Sequence, residues 1–155
     1  MDFARINPEL DGDAAATWHV ELEGELLYDK GQPIEIDVLG LDGKVGKRAA
    51  AAMAKSLDAT RGRKRQKELK NMSVDEILAG ADRNDSLRAK FYAALTTGWR
   101  NITYIDDEKR HDPKAEPEAL EFSQENAVML YSTRPWIMAG LDDFLADRSN
   151  FRQSA

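Results

Sequence analysis

From Thr17 to Glu23 the chain alternates. Trp18, Val20 and Leu22 fall on one side and His19, Glu21 and Glu23 on the other, the period of a half-buried strand. Ile34, Ile36 and Val38 alternate against Glu35 and Asp37 and predict a second strand. Leu26 to Tyr28 reads as an extension of the first strand beyond Gly24. Asp29-Lys30-Gly31-Gln32-Pro33 supplies a turn, and Gly40 and Gly43 end the second strand. The result is an antiparallel β-hairpin or small sheet. Alone it is marginal in water, so it needs a helix or another chain against it.

The period then changes. Val45, Ala49, Ala52, Met53 and Ser56 share a stripe at helical spacing, and alanine favours the helix. So small a stripe is expected to pack closely on the sheet. Asp58 to Asn71 is almost wholly polar and reads as a solvated helix end and linker. Ser73 followed by Glu76 is a capping box ahead of Ile77 and Leu78, predicting a short helix. Asn84 or Asp85 can cap a second helix, along which Leu87, Phe91 and Leu95 stack. Thr97-Gly98 stops it. Trp99, Ile102 and Tyr104 then run extended into a polar loop from Asp106 to Glu118. Ser123 caps a further helix with Ala127, Leu130 and Tyr131 on its apolar face. Pro135 opens a last one carrying Ile137, Leu141, Phe144 and Leu145. The last two helices have almost no linker and are expected to pack as an angled pair.

The expected fold class is α+β: a small N-terminal antiparallel hairpin or sheet with a helix, followed by an α-helical C-terminal part. Its divisions are a flexible N-terminus over 1–16, hairpin plus helix over 17–60, a basic linker over 61–72 and a helical region over 73–151. A length of 155 residues with 42% apolar side chains supports one modest core. There is no cysteine, which removes disulfides, thiol nucleophiles and thiolate metal sites. The first fifteen residues lack a basic start and an apolar run, so no signal peptide is expected. No stretch reaches the roughly 20 apolar residues that span a bilayer.

The net charge of -6 is unevenly placed: Lys44 to Lys70 holds ten Lys or Arg and two acids, a local +8 that leaves -14 elsewhere. Such segregation points to self-association, an acidic partner or nucleic acid. Within it, Arg61, Arg63, Lys64, Arg65 and Lys67 form the densest run and could contact phosphate. No aromatic residue is interleaved from Lys44 to Met72 to stack a base. Nucleic acid is therefore the weaker reading, and a solvated helix or linker the stronger.

Chemistry is thinly supplied. His19 lies on the polar face of a strand and His111 in a charged loop, without metal-ligand spacing. Glu35, Asp37, Asp42 and Lys44 could suggest a nuclease site, but the two strand acids read better as a solvent face. Asp106, Asp107, Glu108 and Asp112 lack the ligand order of a calcium loop. No phosphate loop or nucleophile elbow is present. No enzyme activity and no cofactor are expected. The aromatic residues Trp99, Phe122, Trp136, Phe144 and Phe151 are core candidates. Any left exposed would mark a partner surface, and Trp99, Trp136, Phe144 and Phe151 are the candidates for it.

Two stretches carry a family resemblance. The first is Pro33-Ile34-Glu35-Ile36-Asp37-Val38-Leu39-Gly40 with Asp42, feeding a basic helix. The second runs from Gly98-Trp99 through Phe122-Ser123-x-Glu125-Asn126, Leu130-Tyr131 and Pro135-Trp136 to Asn150-Phe151. In order and spacing they resemble the tail assembly chaperones of long-tailed bacteriophages. The resemblance implies a non-catalytic factor made in the cytoplasm of the infected bacterium. It would hold the tape measure protein until tail tube protein polymerises around it, self-associate, and be absent from the mature virion. Some members also exist as a longer frameshifted product. Two other readings stay open: a structural tail or neck protein of the virion, and a nucleic-acid-binding regulator acting through residues 44–70.

Overall fold

The computed structural model describes residues 3–64 and 72–152, with the side chains of 59–64 excepted. The segment read as flexible contains a 3-10 turn, Phe3–Arg5, and a short helix α1, Pro8–Gly12, capped by Asn7. This segment is docked on the turn before the next long helix. Gly40 N–H donates to Gly12 O at 2.9 Å. A Cβ added to Gly12 would stand 2.5 Å from the backbone nitrogen of Gly43, so the two backbones meet where no side chain fits.

Strand β1, Ala16–His19, follows the predicted alternation and buries Trp18. It does not run on to Tyr28. The chain instead makes two tight hairpins: β2, Glu21–Leu22, with β3, Glu25–Leu26, then β4, Tyr28–Asp29, with β5, Gln32–Pro33. Positive φ at Glu23 and Gly24, and again at Lys30 and Gly31, is the backbone that two-residue hairpin turns require. The fold-back carries Leu22 out of the core, and it is exposed rather than buried. Strand β6, Glu35–Val38, then pairs antiparallel with β1, Trp18 opposite Ile36.

Helix α2, Lys44–Lys64, starts beside α1: Lys44 N–H donates to the Asp13 carboxylate at 2.6 Å. Its small-residue stripe was expected to pack on the sheet, but α2 lies mainly along α3, Val74–Leu95. Helix α3 is one continuous helix where two were expected. Ser73 caps it as predicted, with Oγ accepting from Glu76 N–H at 3.1 Å. Asn84 and Asp85 sit mid-helix at exposed positions, Asp85 within 4.0 Å of Arg88 one turn on, and neither has reason to end the helix.

The chain leaves α3 directly into β7, Thr96–Arg100, which pairs with β6 to give a three-stranded sheet ordered β1-β6-β7. Thr97 forms a bulge between the Asp37–Gly98 and Val38–Thr96 pairs. Strands β8, Thr103–Tyr104, and β9, Glu118–Ala119, close the base of the polar loop, which holds a 3-10 turn at Asp107–Lys109. Ser123 caps α4, Gln124–Thr133; Arg134 alone separates it from α5, Pro135–Ala146. A last turn, Arg148–Phe151, tucks Phe151 against α5.

The fold is α+β, and among the described residues Trp18, Val20, Ile36 and Val38 join Leu95, Tyr131, Met138 and Leu141 in a single buried cluster. The C-terminal region is mainly helical and also contributes β7, β8 and β9.

Candidate functional site

Of the four aromatic residues proposed from sequence as a partner surface, Phe151 is buried and Trp99, Trp136 and Phe144 are half-buried. Trp99 is half-buried, donates from Nε1 to Leu120 O at 2.7 Å and meets Phe122 edge-on at 5.1 Å. Phe144 meets Phe151 at 5.6 Å, and Phe151 is buried. Trp136 is half-buried beside an apolar cleft of about 270 Å³ between Ile34, Ile105 and Ile137. Arg134 closes one side of that cleft. Its guanidinium is 2.9 Å from the Asp107 carboxylate and stacks over Tyr104 at 5.4 Å.

Of the basic run, Arg61, Arg63 and Lys64 belong to the last turns of α2. Arg65 and Lys67 lie outside the described residues.

The strand acids have structural partners. Arg100 grips Asp37 through both terminal nitrogens, at 2.7 and 2.8 Å, and reaches Glu35 at 3.2 Å. That grip holds the Asp37 carboxyl below the usual carboxylate range. Asp42 pairs with Arg148 at 2.6 Å. His19 Nε2 is 2.9 Å from Leu27 O, with its ring edge-on to Tyr28. His111 is exposed. Among the described residues no three His, Asp or Glu converge to hold a metal ion, and no helix is long and apolar enough to cross a membrane.

The surface best suited to a partner is the helical hairpin of α2 and α3. Buried residues of α3 begin only at Ala89. The preceding fifteen residues, about 22 Å of helix at 1.5 Å per residue, carry no buried side chain. Val74 is 71% exposed, Leu78 56% and Ile77 41%. Toward the core, α2, α3 and α5 border an open groove of about 450 Å³. Met53 and Leu57 line it from α2, Leu87 and Phe91 from α3. Arg88 and Asp142 bridge α3 to α5 at 3.3 Å at its border.

Sequence periodicity had placed Met53, Leu87 and Phe91 on apolar stripes. It could not tell that those stripes are only half covered. Leu57 and the Arg88–Asp142 bridge were not anticipated. Leu57 had a signal, since it follows Met53 at i+4; the bridge spans 54 residues and had none.

No family model, no curated protein and no solved structure matches this chain.

Proposed function

We propose that this chain is a bacteriophage tail assembly chaperone: a non-catalytic protein that binds the tape measure protein in the infected cell and gives way when tail tube protein polymerises. The observation that carries the reading is the helical hairpin. A monomer rarely leaves Val74, Ile77 and Leu78 uncovered on one helix unless something covers them part of the time. A long helical client with apolar stripes matches such a surface, and modest affinity would let tube protein displace the chaperone. The order of the Gly98-Trp99, Phe122-Ser123, Pro135-Trp136 and Asn150-Phe151 motifs supports the same reading through its family resemblance.

The test is deletion of the gene from its phage, with electron microscopy of the lysate beside capture of the tape measure protein by the tagged chain. Filled heads without tails, together with capture of the tape measure protein, are expected. Normal tailed particles would remove the reading. Presence of the chain in purified virions would move it to a structural tail or neck protein.

A further inference from the structure

We infer that the cleft between Ile34, Ile105 and Ile137 is a site for a medium-chain aliphatic carboxylate, with the chain in the cleft and the carboxylate on Arg134. This goes beyond the chaperone reading and does not depend on it. The apolar half of the argument is the depth of the cleft. The buried residues Val20, Ile36, Ile102, Leu130 and Ile137 all border it, so about 270 Å³ of open space reaches the core. Protein interiors keep few voids larger than a water molecule, and an unfilled one forfeits contacts of every side chain along it. A cavity of about 150 Å³ takes up benzene, so this one has room for a chain of roughly eight carbons.

The charged half lies on the cleft itself. Arg134 is the one charged residue bordering it among the described residues. Its Nη1 donates to Thr133 O at 3.1 Å, and its Nη2 serves Ile105 O at 3.4 Å and the Asp107 carboxylate at 2.9 Å. The Nε–H and the second Nη1 hydrogen have no partner among the described residues. An adjoining open recess shares Ile105, Arg134 and Trp136 with the cleft and adds Arg110 and Asp107. The Arg110 guanidinium is exposed and has no partner among the described residues. Asp107 offsets one of the two guanidinium charges, which leaves one positive charge at the mouth. A monoanion complements it; a dianion is repelled by Asp107, and a cation by the arginines. The remaining polar lining is Thr103 and Tyr104. A peptide backbone would lose hydrogen bonds to water here that a hydrocarbon chain never makes.

The experiment titrates the full chain by calorimetry with octanoate, octan-1-ol and octylammonium at one ionic strength. Octanoate is expected to bind about tenfold tighter than octanol, and octylammonium weakest. Arg110→Gln, at an exposed position, should weaken octanoate several-fold and leave octanol unchanged, a split that a general loss of structure would not give. Ile105→Trp, which fills the mouth, should abolish binding of both. In the unmodified chain the methyl resonances of Ile34, Ile105 and Ile137 should shift with octanoate, so the site is read even if the tryptophan variant fails to fold. Equal binding of the three ligands, no binding at millimolar concentration, or shifts confined to other methyl groups overturns the inference. So does tighter binding of octyl phosphate, or of a leucine-ended peptide with a free carboxylate, than of octanoate.

Discussion

The indole of Trp18 rests on the backbone of Gly140. A Cβ built at Gly140 would lie 2.5 Å from Cζ2 and 2.6 Å from Cη2 of Trp18. Gly140 sits inside α5, where alanine would ordinarily help by about 1 kcal/mol, and Trp18 is buried in the sheet it faces. The missing side chain is what lets α5 settle on β1. Gly140→Ala is therefore expected to destabilise by about 1–2 kcal/mol, the overpacking cost exceeding the helix gain. The urea midpoint of unfolding measures it, and an unchanged or raised midpoint would mean that the indole moves aside freely.

Thr96 and Tyr131 form a buried polar pair. Thr96 Oγ1 donates to Tyr92 O at 2.8 Å, so at 2.7 Å the Tyr131 hydroxyl must be the donor to Thr96. Burial pushes the Tyr131 phenol up to about 12. Its folded value lies above the unfolded one, so this contribution to stability is complete below about pH 10 and is lost as pH rises through about 12. The loss by the upper end is about 2–3 kcal/mol. Tyr131→Phe should cost about 1 kcal/mol at neutral pH and flatten that alkaline slope relative to the unmodified chain. Thermal melts of both proteins from pH 8 to 11.5 would decide it; parallel slopes would place the titration elsewhere.

Arg100 ties β7 to β6 through Asp37 and Glu35. The Asp37 carboxyl is held below its ordinary value chiefly by the Arg100 hydrogen bond. A depressed carboxylate adds stability above its unfolded value near 4 and loses it as pH falls through the lower folded value. Arg100 is 46% exposed, so solvent screening keeps the effect of Arg100→Ala to about 1 kcal/mol at pH 7 and less in high salt. The difference between the two proteins should fade below about pH 3. A gap unchanged at pH 2.5 would show that packing, not charge, is lost.

Ser73 caps the end of α3 that lies farthest along the chain from its buried segment. Ser73→Ala removes about 1 kcal/mol of local helix stability. Because no residue before Ala89 in α3 is buried, the effect should stay local. Hydrogen exchange is expected to quicken over residues 74–82 while the midpoint of global unfolding shifts little. Uniformly faster exchange through Leu95 would instead mean that α3 unfolds as one unit.

The local elements were legible because their causes are local. Alternation at Trp18–Val20 and Ile34–Val38 marked the two strands; the capping serines Ser73 and Ser123, and Pro135 at a first turn, marked helix starts. Each depends on neighbours within a few residues. The apolar rows of the groove could be read the same way, as stripes through Met53 and through Leu87 and Phe91.

What only the tertiary structure decided depends on pairings across long separations. Thr96–Arg100 becomes a strand because β6, some sixty residues earlier, offers it a hydrogen-bonding edge. Leu22 is exposed because positive-φ turns at Glu23–Gly24 fold it away from the sheet. Phe151 is core because the last turn returns to Phe144, and α3 runs through Asn84 and Asp85 because nothing packs there to exclude them. A stripe on one helix states which face is apolar. Whether another element covers that face is settled only when all of them compete for the same core, and here that competition leaves the groove between α2 and α3 open.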